Sequence, residues 1–185
     1  MTAYVGLRPV EVDAGGLTLV PWRDGDGNEV RDAFNEPHIA RWGMRRTPFD
    51  DVAARDYLAR RRTGWESGEM TSWGVRDPVS GELLGSVTLR DIGRWEGSAE
   101  ASYWVLAAHR GRGVAPAALL AATRFGFDRL GLHRIALRHA VPNTASCRVA
   151  QKAAYLLEGT MRSSTRLGDE WVDDHLHARL EQDEP

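Results

Sequence analysis

Arginine and glycine alternate in a short stretch, Arg110-Gly111-Arg112-Gly113, between a strand-like apolar run and a helix-like segment. Glycine permits positive φ angles and lets the backbone approach a ligand closely. The first turn of a following helix adds unpaired N–H donors and the positive end of the helix dipole. The arginines are cationic partners for phosphate oxygens. This order of residues predicts a binding site for the phosphates of a cofactor.

The stretch matches neither of the two common nucleotide-binding motifs. It lacks the GxGxxG fingerprint of dinucleotide-binding folds, and no Lys-Ser/Thr pair follows its second glycine as in a Walker loop. Pro116 suits a first helical turn, where its missing N–H costs little. Taken alone, the stretch is equally compatible with an ordinary turn between a strand and a helix.

The elements that must position this loop follow from hydropathy periodicity and turn residues. They predict about seven strands and about four helices in a layered α/β (α+β) fold with one mixed sheet. The predicted strands span residues 17–22, 71–76, 83–89, 99–106, 134–141, 155–165 and 170–180. The predicted helices span residues 29–35, 50–65, the stretch from the glycine loop to 130, and 144–153.

Length and composition limit the possible functions. We expect one domain over residues 1–185, with flexible ends at 1–15 and 181–185. The 24 basic and 26 acidic side chains nearly balance, which argues against a nucleic-acid partner. No stretch approaches the ~20 apolar residues of a membrane span, and the first residues lack an apolar signal core. We therefore expect a cytoplasmic protein without a membrane partner.

Two separated motifs resemble the GNAT acetyltransferase superfamily. The pattern Arg110-x-x-Gly113-x-Ala115 is similar to its acetyl-CoA pyrophosphate loop. The stretch from Asn143 to Gly159 is similar to a second signature, that of the RimJ/RimL-like branch, the N-terminal acetyltransferases of ribosomal proteins. The resemblance extends over residues 17–180. It implies a GNAT-like, mostly antiparallel central sheet of about seven strands, splayed at the acetyl-CoA strand and flanked by about four helices.

The resemblance also implies a reaction and a cofactor. GNAT enzymes move an acetyl group from acetyl-CoA to a primary amine by direct attack, without a metal or a covalent intermediate. The resemblance implies that one strand end pairs with the pantetheine arm, at Trp104, Val105 and Leu106. It implies that the loop holds the pyrophosphate, through Arg110, Gly111, Arg112, Gly113, Val114 and Ala115. Further cofactor contacts are implied in the second motif, at Asn143, Ser146, Arg148 and Lys152.

The same resemblance suggests catalytic groups. Ser146 would protonate or hydrogen-bond to the leaving thiolate, although a serine here also suits the first turn of a helix, as Asn143 suits its N-cap. Glu100 would accept the amine proton through water, but it is equally compatible with an exposed strand residue or an arginine partner. Tyr155 stands where the branch has phenylalanine and adds a hydroxyl near the sulfur end. Asp173 and Asp174 are other candidate bases.

One departure from the branch pattern concerns the end of the second motif's helix. Ala154 replaces the usual glycine, and alanine resists a left-handed conformation by ~1 kcal/mol or more. We therefore expect this helix to end differently from those of its relatives.

The resemblance implies that the first helices and the last strands form the acceptor pocket, and aromatic residues lie in and near these regions. Candidate substrate contacts are Trp42, Trp95, Trp171 and Asp173, although tryptophans more often fill cores. The resemblance favours the α-amine of a protein or peptide. A small-molecule amine and a non-catalytic acyl-CoA sensor are alternatives, and the protein is expected to be a monomer or homodimer. We expect no metal, because His175 and His177 share a strand face without a third ligand at metal spacing.

Overall fold

The structure is a computed structural model that describes residues 7–43, 48–93 and 96–183. Within those ranges the chain forms an eight-stranded sheet, five α-helices and two short 3-10 helices. The strands are β1 (Val12–Asp13), β2 (Thr18–Pro21), β3 (Thr71–Arg76), β4 (Leu83–Arg90), β5 (Ser98–Val105), β6 (Arg134–Ala140), β7 (Leu156–Leu167) and β8 (Glu170–Leu180). The helices are α1 (Gly27–Asn35), α2 (Pro37–Trp42), α3 (Asp51–Ser67), α4 (Val114–Leu130) and α5 (Thr144–Lys152). The predicted layered fold with one mixed sheet is confirmed.

The sheet opens between its two central strands. Its order is β1-β2-β3-β4-β5-β6-β8-β7, and all neighbours are antiparallel except β5 and β6. The parallel pairing of β5 with β6 runs only from Ser98 to Ala101, whereas β5 continues to Val105 and β6 to Ala140. Beyond Ala101 each strand stays paired on its other side, β5 with β4 and β6 with β8. The sheet therefore splays where the resemblance implied.

Two apolar clusters cover the two faces of the sheet. The larger packs α4 against the central strands and includes the fully buried Leu119, Trp73 and Ile135. The smaller gathers α1, α2 and α3 around Phe34 and Tyr57. Side chains of successive strand residues alternate between these layers. The open end of β5 therefore reaches both clusters.

Local sequence explains most helix ends. Asp50 caps α3, since its side chain accepts a hydrogen bond from the Ala53 amide at 2.8 Å, and Gly68 ends that helix at φ 74°. Gly131 follows α4 with φ 61°, so this helix ends at residue 130, where the sequence predicted its end. At the end of α5, contrary to expectation, Ala154 adopts the left-handed conformation (φ 57°). The Ala154 and Tyr155 amides close a Schellman motif on Gln151 and Ala150.

Two elements were not predicted, and one strand is irregular. β1 has only two residues, and α2 begins at Pro37, with only Glu36 between it and the end of α1. β7 is an edge strand with mostly exposed side chains. Its register against β8 shifts between Leu157 and Gly159 and again between Met161 and Thr165. In the described ranges no helix is long and apolar enough to cross a membrane.

Candidate cofactor and acyl-transfer site

The predicted pantetheine strand lies at the open end of the sheet. The Leu106 amide donates to the Leu84 carbonyl at 3.0 Å, which keeps this end of β5 attached to β4. The Trp104 ring packs into the smaller cluster beside Trp22 and Phe34. The edge of β5 that faces the splay is not paired with β6 beyond Ala101. An extended ligand arm can therefore lie along it, with backbone groups to bond.

The predicted phosphate loop is open and carries two left-handed glycines. Gly111 and Gly113 have φ angles of 75° and 81°, and a Cβ atom placed on either would meet no heavy atom within 4 Å. Gly113 precedes the first turn of α4, which no side chain of the described residues caps. Of the next two residues, Val114 is buried and Ala115 is half-buried, and their contacts with a cofactor stay predictions. The loop therefore has the room and the donors that a diphosphate requires.

The two arginines of the loop have different surroundings. The Arg110 guanidinium forms an ion pair with Glu36, and its Nε donates to the Val105 carbonyl at 3.0 Å. Glu36 also accepts from the Ala107 amide at 3.0 Å, so this carboxylate ties the loop to the junction of α1 and α2. Arg112 is exposed beside the glycines. Arg110 thus braces the loop, while Arg112 is the more accessible cation.

Asn143 and Ser146 form the first turn of α5. The Asn143 side chain accepts a hydrogen bond from the Ser146 amide at 3.3 Å, so it caps the helix as the sequence allowed. The Ser146 side chain is half-buried. Arg148 and Lys152 are exposed one turn apart on the same helix face. Their contacts with a cofactor stay predictions.

Tyr103 is a candidate that sequence reasoning missed. Its hydroxyl donates to the Ser146 carbonyl at 3.4 Å across the space between β5 and α5. Burial raises the pKa of this phenol to about 12, so it stays protonated in neutral solution. The alternation of β5 could have identified it, because Tyr103 faces the opposite way from Trp104. A neutral hydroxyl next to Ser146 is a second potential proton donor.

Tyr155, in contrast, points into the core. Its ring is 2% exposed, and its hydroxyl lies 2.6 Å from Thr123 Oγ1. Thr123 uses its own proton to bond the Leu119 carbonyl at 2.7 Å, so Tyr155 is the donor of the pair. Burial raises its pKa above the ordinary value. The structure therefore does not bring this predicted catalytic hydroxyl to the open end of β5.

The candidate bases are all engaged. Both carboxylate oxygens of Glu100 accept from guanidinium groups, one from Arg90 and the other from Arg138 at 3.0 Å. Asp174 is buried and accepts from Thr165 at 2.6 Å. Asp173 is exposed, and its side chain accepts from the Ser163 amide at 2.8 Å. The alternative in which Glu100 pairs with arginine is thus present, and its role as a base stays a prediction.

The predicted acceptor residues are dispersed. Trp42 ends α2, where its indole donates to His38 Nε2 at 3.2 Å and the Arg41 guanidinium lies 5.0 Å from its ring centroid. Trp171 is 62% exposed near the start of β8. Trp95 lies outside the described residues. The sequence did not reveal a further group of possible metal ligands, which three different elements bring together. Its members are His139, Cys147, His175 and His177.

Comparisons with known proteins agree with this geometry. Residues 16–155 match the family model described as Acetyltransferase (GNAT) domain. The chain is 30% identical over 188 residues to a probable N-acetyltransferase, YjcK, of Bacillus subtilis (strain 168), covering 99% of this chain and 96% of that protein. It is 30% identical over 99 residues to the ribosomal-protein-serine acetyltransferase of Escherichia coli (strain K12), covering 54% and 55% of the two chains. The spermidine N-acetyltransferase of Vibrio cholerae, solved with CoA and spermine, superposes with a TM-score of 0.78 at 22% identity over 89% of this chain and 95% of that one.

Proposed function

The chain belongs to the GNAT acetyltransferase family, and we propose that its acceptor is the α-amine of a protein or peptide. Acetyl-CoA is its cosubstrate, and its reaction is acetyl transfer to an amine. The observation that carries the cofactor assignment is the unpaired end of β5 beside the open glycine loop of α4. The partial match to a ribosomal-protein acetyltransferase supports the proposed acceptor class.

The charge around the site also supports a neutral peptide amine over a polyamine. A polycationic acceptor needs free carboxylates in its pocket. Glu36 is paired with Arg110, and Glu100 is held between Arg90 and Arg138. Because Glu36 and Glu100 already have cationic partners, these two carboxylates leave little negative charge to attract a polyamine.

In the proposed mechanism, loop amides and Arg112 bind the diphosphate, and the free edge of β5 aligns the arm. The cosubstrate supplies a reactive thioester, so orientation accounts for much of the rate. Ser146 and Tyr103 are the hydroxyl donors close to α5 that can protonate or hydrogen-bond to the leaving sulfur. The amine proton leaves through water. A cytoplasmic location, a single domain over residues 1–185 and the lack of a nucleic-acid partner stay predictions.

The proposal is tested by measuring CoA release with a thiol reagent. The acceptors are a set of peptides with free N-termini, the same peptides with acetylated N-termini, and spermidine. We expect turnover with free peptides and none with blocked peptides that retain lysine. Turnover with spermidine alone would reassign the acceptor to small molecules. Saturable CoA binding without turnover on any amine would identify a sensor.

A further inference from the structure

Four side chains outside the acyl-transfer site converge between β6, β8 and α5. His139 lies opposite His175 in the register of β6 and β8, and His177 follows two residues along β8. Cys147 reaches the same place from α5. One possible ligand atom from each of the four residues lies within 4.8 Å of all the others. Imidazole nitrogen and thiolate sulfur are the ligands that Zn²⁺ prefers.

Hydrogen bonds orient two of the imidazoles toward a shared point. His139 Nδ1 lies 3.0 Å from the Ala140 carbonyl oxygen, and His177 Nδ1 lies 3.3 Å from that of Tyr155. A carbonyl only accepts, so each Nδ1 carries the proton and each neutral ring has a bare Nε2. These two Nε2 atoms lie 3.2 Å apart, so their lone pairs face each other. An Nδ1–H bonded to a carbonyl is a usual outer partner of a metal-bound histidine.

The spacing of the rings fits a tetrahedral ion. With a metal–nitrogen distance of about 2.0–2.1 Å, two tetrahedral Nε2 ligands lie about 3.3 Å apart and their ring centroids about 5.2 Å apart. The His139 and His177 centroids are 5.2 Å apart. His175 is slightly further out, with its centroid 5.4 Å from that of His139 and 6.0 Å from that of His177. A small shift of His175 would therefore bring its imidazole to the spacing that a third ligand of the ion requires.

One buried polar atom of the cluster lacks a partner. Among the described residues, His175 Nδ1 has no hydrogen-bond partner. An unsatisfied buried polar group is unfavourable. A bond from this nitrogen to a metal ion would remove that cost.

We propose that His139, His175, His177 and Cys147 bind one Zn²⁺ ion that fixes α5 to the sheet. Four protein ligands leave no open position, which is typical of a structural site. On binding, the Cys147 thiol releases its proton to solvent, and nothing is oxidised or reduced. Cys147 directly follows Ser146, so the ion would hold the first turn of α5 in place. The proposal does not depend on the identity of the acceptor.

The first test uses the unaltered, metal-free protein. Zn²⁺ is titrated against a chromophoric chelator, and Co²⁺ is added in parallel as a spectroscopic probe. We expect one ion per chain, the visible absorption of tetrahedral Co²⁺, and a near-ultraviolet thiolate-to-cobalt charge-transfer band. Zn²⁺ should also raise the melting temperature. Failure to bind Zn²⁺, or a Co²⁺ complex without a thiolate band, would overturn the proposal.

Variants with a matched control locate the ion. Cys147→Ser should remove the charge-transfer band, and His175→Asn should weaken Zn²⁺ binding more than about 100-fold, because even outer partners contribute 10–100-fold. His133 is exposed and lies six residues before His139, about 20 Å away along the strand. His133→Asn should leave binding unchanged. Equal effects of all three variants, or none from the first two, would place the ion elsewhere and contradict the proposal.

Discussion

Helices α4 and α5 begin at the same end of the sheet, after the parallel strands β5 and β6, yet their N-termini are completed differently. α4 starts after the left-handed Gly113 and has no side-chain cap among the described residues. α5 starts with Asn143, whose side chain satisfies the Ser146 amide. An uncapped terminus leaves donors for an anion, whereas a capped one holds its own residues in place. This difference supports our proposal that the diphosphate binds at α4 and that the thioester reacts at α5.

The largest effect is expected at the N-terminus of α4. Gly113→Glu places a carboxylate and a strained backbone where we propose that the diphosphate binds. The stabilisation that CoA gives at 100 times its Kd, about 2.7 kcal/mol, should be lost. Thermal unfolding with and without CoA measures this. Gly168→Glu is the control, since Gly168 has a similar φ of 62° in the turn between β7 and β8. If CoA stabilised Gly113→Glu as much as it stabilises the wild type, the proposal that the diphosphate binds at α4 would be wrong.

The next effect is expected at α5 and should appear in turnover. Ser146→Ala removes a hydroxyl proposed to act on the leaving sulfur, and kcat should fall by about 100-fold. The Kd of CoA should change much less, because the phosphate contacts lie on α4. Steady-state kinetics and CoA titration separate the two quantities. A variant with wild-type kcat would leave Tyr103 or water as the proton donor.

A smaller effect should distinguish the half-buried Tyr103 from the buried Tyr155. Tyr103→Phe should lower kcat by about 10-fold if its hydroxyl assists Ser146, whereas Tyr155→Phe should mainly lower the stability of the core. Because the pKa of Tyr103 is about 12, the loss should be constant between about pH 6 and 9. Rate profiles of both variants test this. A larger kcat loss in Tyr155→Phe would reverse the assignment.

The cap of α5 should affect stability by about 1 kcal/mol. Asn143→Ala removes the bond to the Ser146 amide. Asp50→Ala removes the equivalent bond at α3 and is a matched control remote in sequence. Both should lower the free energy of unfolding in urea by a similar amount, but only Asn143→Ala should lower kcat. Equal kcat values would show that the cap has no part in catalysis.

The smallest effect is expected at the C-terminus of α5. Ala154→Gly relieves a left-handed alanine but increases the entropy of the unfolded chain. The free energy of unfolding should rise by less than about 1 kcal/mol, without a change in kcat. Urea denaturation of the variant measures this. A loss of stability would mean that the methyl group contributes packing that outweighs the strain.

Local patterns predicted the elements well, because glycine turns and strand alternation are properties of neighbouring residues. The start of α3 and the end of α4 are examples, since the sequence predicted one helix from residue 50 and another that ends at residue 130. The side-chain partners of the site residues were harder to predict from the sequence. Arg110 binds Glu36 across 74 residues, and no local pattern encodes that pair.

The directions in which side chains face were the part of the candidate site that the sequence predicted least well. Tyr155 was selected for its position in a motif, but the packing of its strand end against α4 turns its hydroxyl toward Thr123. Tyr103 was overlooked because the resemblance implied a role for its neighbour Trp104 and none for Tyr103. The group formed by the three histidines and Cys147 depends on the β6–β8 register together with the placement of α5. Such combinations follow from tertiary structure only.

The irregular edge strand β7 has a consequence for solubility. A long, regular strand edge is a template for pairing with other chains. The two register shifts interrupt the row of unpaired backbone groups, and Glu158, Arg162 and Arg166 place charges along it. Deleting a residue to remove these bulges would leave an uninterrupted edge of unpaired backbone N–H and C=O groups. We expect such a chain to aggregate during folding.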